Sequence, residues 1–485
     1  MSRSSPLGVR PRYALHRRTL AVTLVTLMLV SAGTVAAATW IVLSRRASAS
    51  ESSRPTNSSA SSLRALQIPN FGLVPSAGPT KTHSVEPPSA APSVISPISP
   101  ISPIQTSVPT TTTTSTTEPL VTDPFYQTPD PLVASPPGTV IRAERIVGQV
   151  GLPPLAVAYR VLYHSESITG ADIAVSGTVT IPGQPSPAGG YPIATWAHAT
   201  DGLADQCAPS IAGAQTVPYL AQLLDEGLIV AATDYQGLGT QGINPYLVGQ
   251  SEGQAVLDAA RAARNLVDGA ASDSVIIFGH SQGGQAALFA GQISATYAPD
   301  LFVVGVVAAA PVSSVAEFAP TAPGGNSDSL SMYAVMAFYA WSLTYGDLPL
   351  TAVFTPWAVS TTPALDQVCS DQVATTYAHV PTNQIFTATW KDSAAIQTHL
   401  TQNEPGMGHT SAPILVVQGT SDTIIPSSTT TNLVNQRLCR SQHDVVDYEV
   451  FRGANHGTVV AVAQSDVLQW VAERFAGQPA PTTCH

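Results

Sequence analysis

The sequence predicts an α/β fold, a mostly parallel sheet with helices on both faces, and three observations on the chain after Asp123 carry that reading. Short β-branched runs recur, among them IATWAHA, GLIVAATD, SVIIFGH, FVVGVVAA, PILVVQG and VVDYEVFRG. Ala/Leu-rich helical stretches separate them, the alternation expected of parallel strands joined by crossover helices. The runs are apolar almost throughout, as strands covered on both faces must be.

The elements follow in order. AVAYRVLYHS (Ala156 to Ser165) and IAVSGTVTIP (Ile173 to Pro182) predict an opening hairpin. SEGQAVLDAARAARNLVDG, Ser251 to Gly269, predicts a helix whose Ser-x-x-Gln start is a capping-box arrangement. From about residue 320 to 410 the alternation breaks, and MYAVMAFYAWSLTYG (Met332 to Gly346) lies inside the break. An insert of that length is too long for a plain loop, so it predicts a helical cap over one end of the sheet. Phe338, Tyr339, Trp341 and Trp357 could line an apolar substrate tunnel there, although packing within the cap is the commoner fate of any one such ring.

The chain before Asp123 has a different character. Leu20 to Leu43 is uncharged and, as a helix, would be about 36 Å long, enough to cross a bilayer. Arg3, Arg10, Arg12, Arg17 and Arg18 place residues 1–19 on the cytoplasmic side and everything after the span outside. Cleavage after Ala47 to Ala49 would release a secreted protein, whereas the length of the span and Arg45 and Arg46 behind it favour retention as a membrane anchor. Residues 44–122, with SPISPISPI and PTTTTTSTTEP, bury too little apolar surface to fold and read as a stalk. The 123–485 remainder is then one exported globular domain.

Composition narrows the function. A net charge of -11, with no Lys/Arg cluster beyond the N-terminus, argues against a nucleic-acid partner. No metal or cofactor is implied, because zinc-spaced Cys/His clusters, a phosphate loop and a dinucleotide fingerprint in context are all missing. No obligate protein partner is indicated. The four cysteines, Cys207, Cys369, Cys439 and Cys484, suit two disulfides in an oxidising compartment, with three pairings open.

Gly279-His280-Ser281-Gln282-Gly283 follows one β-branched run and opens a helix, the setting in which a Gly-x-Ser-x-Gly turn exposes a nucleophile. A serine hydroxyl needs a base to take its proton and an acid to orient that base, here in the chain order Ser, acid, His. Asp422 follows the run PILVVQG in a polar turn, and His456 lies in the glycine-flanked loop GANHGT after the last run. Of the other domain histidines outside the cap, His164, His198, His280 and His443 do not occupy that final loop, and Asp444 and Asp447 flank or lie within a strand. Gln282 should supply one backbone N–H to an oxyanion hole, and the loop Ala199 to Ser210 a second donor.

These residues, with DPFYQTP, CAPS, DYQGLGT, PYLVG and SEGQAVLDAARAA, resemble the lipase-A-type secretory lipases of the α/β-hydrolase superfamily over nearly all of the chain from Asp123 onward. The resemblance implies an inserted cap, disulfides Cys207 to Cys369 and Cys439 to Cys484, and a place for Asp201 in the oxyanion hole. Asp201 could donate there only when protonated. Gln282 stands where some members carry glycine, and its side chain is expected to narrow the pocket. The activity expected is hydrolysis of acyl esters, above all lipid esters, outside the membrane by Ser281, His456 and Asp422. Acyl transfer or amide cleavage would use the same triad, and an idle envelope scaffold is the rival class.

Overall fold

A computed structural model describes residues 123–318, 330–377 and 379–485. The basic N-terminus, the Leu20 to Leu43 span and the stalk lie outside the described residues. Among the described residues no helix is long and apolar enough to cross a membrane.

Nine strands form one sheet: β1 Val140–Arg145, β2 Val157–Glu166, β3 Asp172–Ile181, β4 Tyr191–Ala197, β5 Ile229–Thr233, β6 Ala271–His280, β7 Phe302–Ala309, β8 Ile414–Gly419 and β9 Val446–Phe451. Their order is β1-β2-β3-β5-β4-β6-β7-β8-β9. The hairpin β2–β3 and its neighbours β1 and β5 pair antiparallel, and every pairing from β5 to β9 is parallel. β1 is the one strand not foreseen. Its sequence, VIRAER, is only partly buried, and charged side chains suit an edge that must not recruit another chain.

Alternation along the strands divides the core in two. Val275 and Ile277 of β6 face the helices Gly249–Leu266 and Gln282–Tyr297, while Ile276 and Phe278 face the other way, toward Trp196, Leu224 and Trp470. Both faces are covered, so the middle strands are apolar at most positions, and polar exceptions such as Thr195 and Gln418 are buried.

The capping box at Ser251 does not form. The helix begins two residues earlier, at Gly249, and the Ser251 hydroxyl donates to Gln236 instead. The N–H groups around the helix start find side-chain acceptors: Leu247, just before the helix, donates to the Glu252 carboxylate at 2.9 Å and Gly249 to the Asn403 side chain at 3.1 Å. A residue 154 positions away displaces the local cap.

Between β7 and β8 the chain forms a second apolar cluster, built on the helices Ser331–Tyr345, Ser370–Tyr377 and Ala394–Gln402. Phe338 packs 5.6 Å from Trp341 and 5.4 Å from Trp390, and the Trp341 indole donates to the Tyr246 carbonyl at 3.1 Å, rooting this cap in the sheet domain. Tyr339 bonds Asp366, and Trp357 packs edge-on to Tyr377. All four rings expected as tunnel candidates are spent on packing. The disulfides are Cys207–Cys369, which ties the loop after β4 to the cap, and Cys439–Cys484, which holds the C-terminus.

Candidate active site

β6 ends at His280 and the next helix starts at Gln282, leaving Ser281 alone on the turn with φ 60° and ψ -116°. A positive φ strains a residue with a Cβ, so the surroundings must impose it. They do so through the backbone: Ser281 N–H donates to Ala309 at 2.9 Å, and its carbonyl accepts from Val312 at 3.0 Å. The flanking glycines are required for space. A Cβ on Gly279 would lie 1.9 Å from the Gly283 oxygen, and one on Gly283 would lie 1.9 Å from the Ala197 oxygen.

The turns after β8 and β9 bring the other two residues to this point. His456 Nε2 is 2.8 Å from Ser281 Oγ, and Nδ1 is 2.8 Å from Asp422 Oδ2. A carboxylate can only accept, so Nδ1 carries the proton and Nε2 is left to accept from the serine hydroxyl. Asp422 Oδ1 accepts from the N–H groups of Ile424 and Ile425, and Oδ2 also from Gln418. Burial raises this carboxyl, but the hydrogen bond and charge of His456 and the two N–H groups outweigh it and hold it below the usual carboxylate range.

The competing residues have other partners. His164 sits on Asp172 and His399 on Asp347, both at ion-pair distance, while Asp444 accepts from Thr410 N–H. His280, next to the nucleophile in sequence, also contacts the loop of the base: its Nε2 donates to the His456 carbonyl at 2.9 Å.

A cavity of about 720 Å³ is lined by Trp196, His198, Asp201, Ile211 and the chain neighbours of the nucleophile and the base, His280 and Gly457, among others. Asp201 lines this cavity, and its Oδ2 is 2.9 Å from Nδ1 of the buried His198. Burial lowers the His198 imidazole, and the carboxylates of Asp201 and Asp234 and the Ala199 carbonyl together raise it above its ordinary value. His198 went unassigned in the sequence, because nothing local distinguishes it from a core histidine.

Gln282 opens the helix after Ser281, where first-turn N–H groups lack intrahelical acceptors. Its side chain does not narrow the cavity as expected. The amide turns into the interior and donates to Glu252 Oε1 at 2.8 Å. Several other stretches quoted for the family resemblance meet in one buried network: Tyr126 bonds Ser210, and Asp234 accepts from Ser210 N–H at 2.9 Å and from Ser176 at 2.7 Å. That network holds the loop carrying Cys207 against the sheet. Among the described residues no group of three or more His, Cys, Asp or Glu could hold a metal ion.

The sequence profile of the secretory lipases matches residues 210–483. A protein of Mycobacterium tuberculosis named a probable inactive lipase is 32% identical over 205 residues, which span 39% of this chain and 45% of that protein, less than half its length. Lipase A of Arthroderma benhamiae is 25% identical across 73% of this chain and 79% of its own. The closed-state structure of Candida antarctica lipase A shares the fold at a TM-score of 0.65 and 21% identity, covering 75% of this chain and 88% of that one.

Proposed function

Because the chain belongs to the secretory lipase family, we propose that it is an extracytoplasmic serine ester hydrolase acting on acyl esters of lipids. The observation that carries this is the hydrogen-bond chain Ser281, His456, Asp422, two contacts of 2.8 Å joining residues from three strand ends. Ser281 Oγ attacks the ester carbonyl carbon as His456 Nε2 takes its proton. The carbonyl electron pair becomes an oxyanion, which the Gln282 N–H faces. Collapse expels the alcohol, protonated by His456, and leaves an acyl-enzyme that water cleaves by the same steps. Asp422 stays ionised and orients His456 throughout.

Asp201 is proposed as the second oxyanion donor. Its place in the loop Ala199 to Ser210 and its 2.9 Å contact with the buried His198 support that role. Export is supported by the two disulfides and by the Leu20 to Leu43 span behind its basic flank. We propose that the span anchors the domain outside the membrane, with secretion following if it is cleaved.

The name of the mycobacterial relative keeps a second reading in view, an idle domain acting as a scaffold. The complete triad in this chain weighs against it. The test is hydrolysis of an ester series, from acetyl to long acyl and emulsified triacylglycerol, by the full-length chain and its Ser281→Ala variant. Activity lost in the variant is expected. Equal rates in both proteins would refute the assignment, and a folded wild type with no activity would favour an acyltransferase or the scaffold.

A further inference from the structure

Glu252 is 1% exposed, stands in the first turn of the helix Gly249–Leu266, and takes no part in the triad. Its Oε1 accepts two hydrogen bonds, from Leu247 N–H at 2.9 Å and from the Gln282 side-chain amide at 2.8 Å. Its Oε2 is buried and has no hydrogen-bond partner. An ionised carboxylate with one oxygen bare in a protein interior is far more costly than the neutral acid. The second glutamine of the same helical turn is tied in parallel: Gln285 donates to the Asn403 carbonyl at 2.7 Å, and the Asn403 side chain accepts from Gly249. The start of the serine's helix is therefore suspended from the start of its neighbour.

Resting on the ester-hydrolase reading, we propose that Glu252, as a neutral carboxylic acid, is the positioning residue for the oxyanion-stabilising N–H of Gln282. By holding the Gln282 side chain it fixes the backbone of the residue next to the nucleophile. When ionised it places a negative charge one side chain away from the developing oxyanion, where charge of that sign opposes the reaction.

The surroundings agree with a neutral acid. Burial pushes Glu252 up to about 7, opposed by the Gln282 and Leu247 hydrogen bonds and by the charge of His198. The groups facing it are His198 after β4, Tyr235 after β5, Tyr246 before its own helix, and Tyr345 at the end of the first long cap helix. The three tyrosines are raised by burial and stay neutral alongside it, so Glu252 is the group in this set whose ionisation would add negative charge near neutral pH.

The test uses full-length protein in detergent and a short-acyl nitrophenyl ester, with kcat and KM measured from pH 5 to 9 for wild type, E252Q, E252A and Q282A. Wild-type kcat should fall toward alkaline pH as Glu252 ionises, and E252Q, which keeps both accepted hydrogen bonds without the charge, should lose that fall. E252A and Q282A should each lower kcat about tenfold or more at unchanged KM, and the double variant should lose little beyond either single one. An alkaline fall that persists in E252Q overturns the proposal, as does a wild-type kcat in Q282A, whichever way E252A folds. Phosphonylation of Ser281 by a fluorophosphonate gives the same readout without ester turnover. Labelling that follows the expected pH pattern with no ester cleaved would sink the hydrolase reading alone, and a Ser281 that does not label would sink both.

Discussion

His280 Nε2 lies 2.9 Å from the backbone oxygen of His456, and the two rings face each other with centroids 4.8 Å apart. Burial and the charge of His456 push His280 down to about 4, so it is neutral near physiological pH and its single proton sits on Nε2 to make this bond. The residue before the nucleophile thereby fixes the loop that carries the base.

His280→Ala should therefore lower kcat and leave KM nearly unchanged. Loss of one hydrogen bond of about 1 kcal/mol corresponds to roughly a fivefold to tenfold drop. Steady-state kinetics on a short-acyl ester with His280→Ala and His280→Gln would check it, with partial recovery expected in the glutamine variant. A rise in KM alone would mean that His280 contacts substrate instead.

Asp422→Asn should be far more severe. With its oxygen kept on the N–H groups of Ile424 and Ile425, the amide turns its NH2 toward His456 Nδ1, itself a donor. The imidazole would be left in the wrong tautomer, and kcat should fall on the order of 10⁴-fold. Circular dichroism alongside the rate assay separates this from unfolding.

The elbow glycines should prove intolerant for a steric reason. Gly283→Ala places a Cβ against the Ala197 backbone oxygen at 1.9 Å, with no flexible side chain to yield, and should cost on the order of 3 kcal/mol together with activity. At Gly189 a Cβ would meet nothing within 4 Å and only φ 101° opposes it, so Gly189→Ala should cost about 1 kcal/mol and spare activity. Similar denaturant midpoints for the two variants would contradict this.

How far the sequence revealed this site depends on the range of the interactions. Ser281, Asp422 and His456 could be singled out because each sits just past an apolar run, in a turn marked by glycine or small polar residues, and chain order limits the choices. The strand succession was visible for the same reason, since β-branched runs buried on both faces leave little ambiguity. β1 was not, because an edge strand can be as charged as VIRAER. The capping box at Ser251 failed because Asn403, distant in sequence, supplies the cap. Glu252 and His198 were invisible as functional candidates, since their importance lies in what packs against them: Gln282 thirty positions on, and Asp201 in a loop held by a disulfide to the cap.

The two disulfides should separate in their effects. Cys207–Cys369 spans 162 residues and Cys439–Cys484 spans 45, and each should contribute about 4 to 5 kcal/mol by restricting the unfolded chain. Only the first is next to the cavity, where Ser370 N–H donates to the Asp201 carbonyl at 2.8 Å. Paired Cys→Ser variants should both lose stability, but only the Cys207/Cys369 pair should lose kcat/KM at a temperature where both remain folded. Equal activity losses would show that the tether does not position the Asp201 loop.

The stability that Glu252 contributes should fall as pH rises from 5 to 8. Glu252 is lifted from an ordinary value of 4.5 to about 7 in the folded protein, so between those values the folded state holds a proton that the unfolded state has released. The stability linked to that proton is present at low pH and is lost through this window, on the order of 3 kcal/mol in all. His198 acts in the same direction: raised above 6.5, it contributes fully below that value, and its contribution is lost as pH climbs through its folded pKa. Asp422 is depressed below 3.8, so its contribution is lost only under acid conditions and stays level across this range. His280, lowered from 6.5 to about 4, acts in the opposite sense below pH 6.5, and Asp205 and Asp258, each raised to about 6, act with Glu252. The Glu252 contribution is therefore read as the stability difference between wild type and E252Q in urea unfolding at intervals from pH 5 to 8, which should fall through the window because glutamine has no proton to exchange. An unchanged pH slope in E252Q would mean that Glu252 is ionised throughout, and the buried, unpartnered Oε2 would then carry charge at a cost that some other contact must offset.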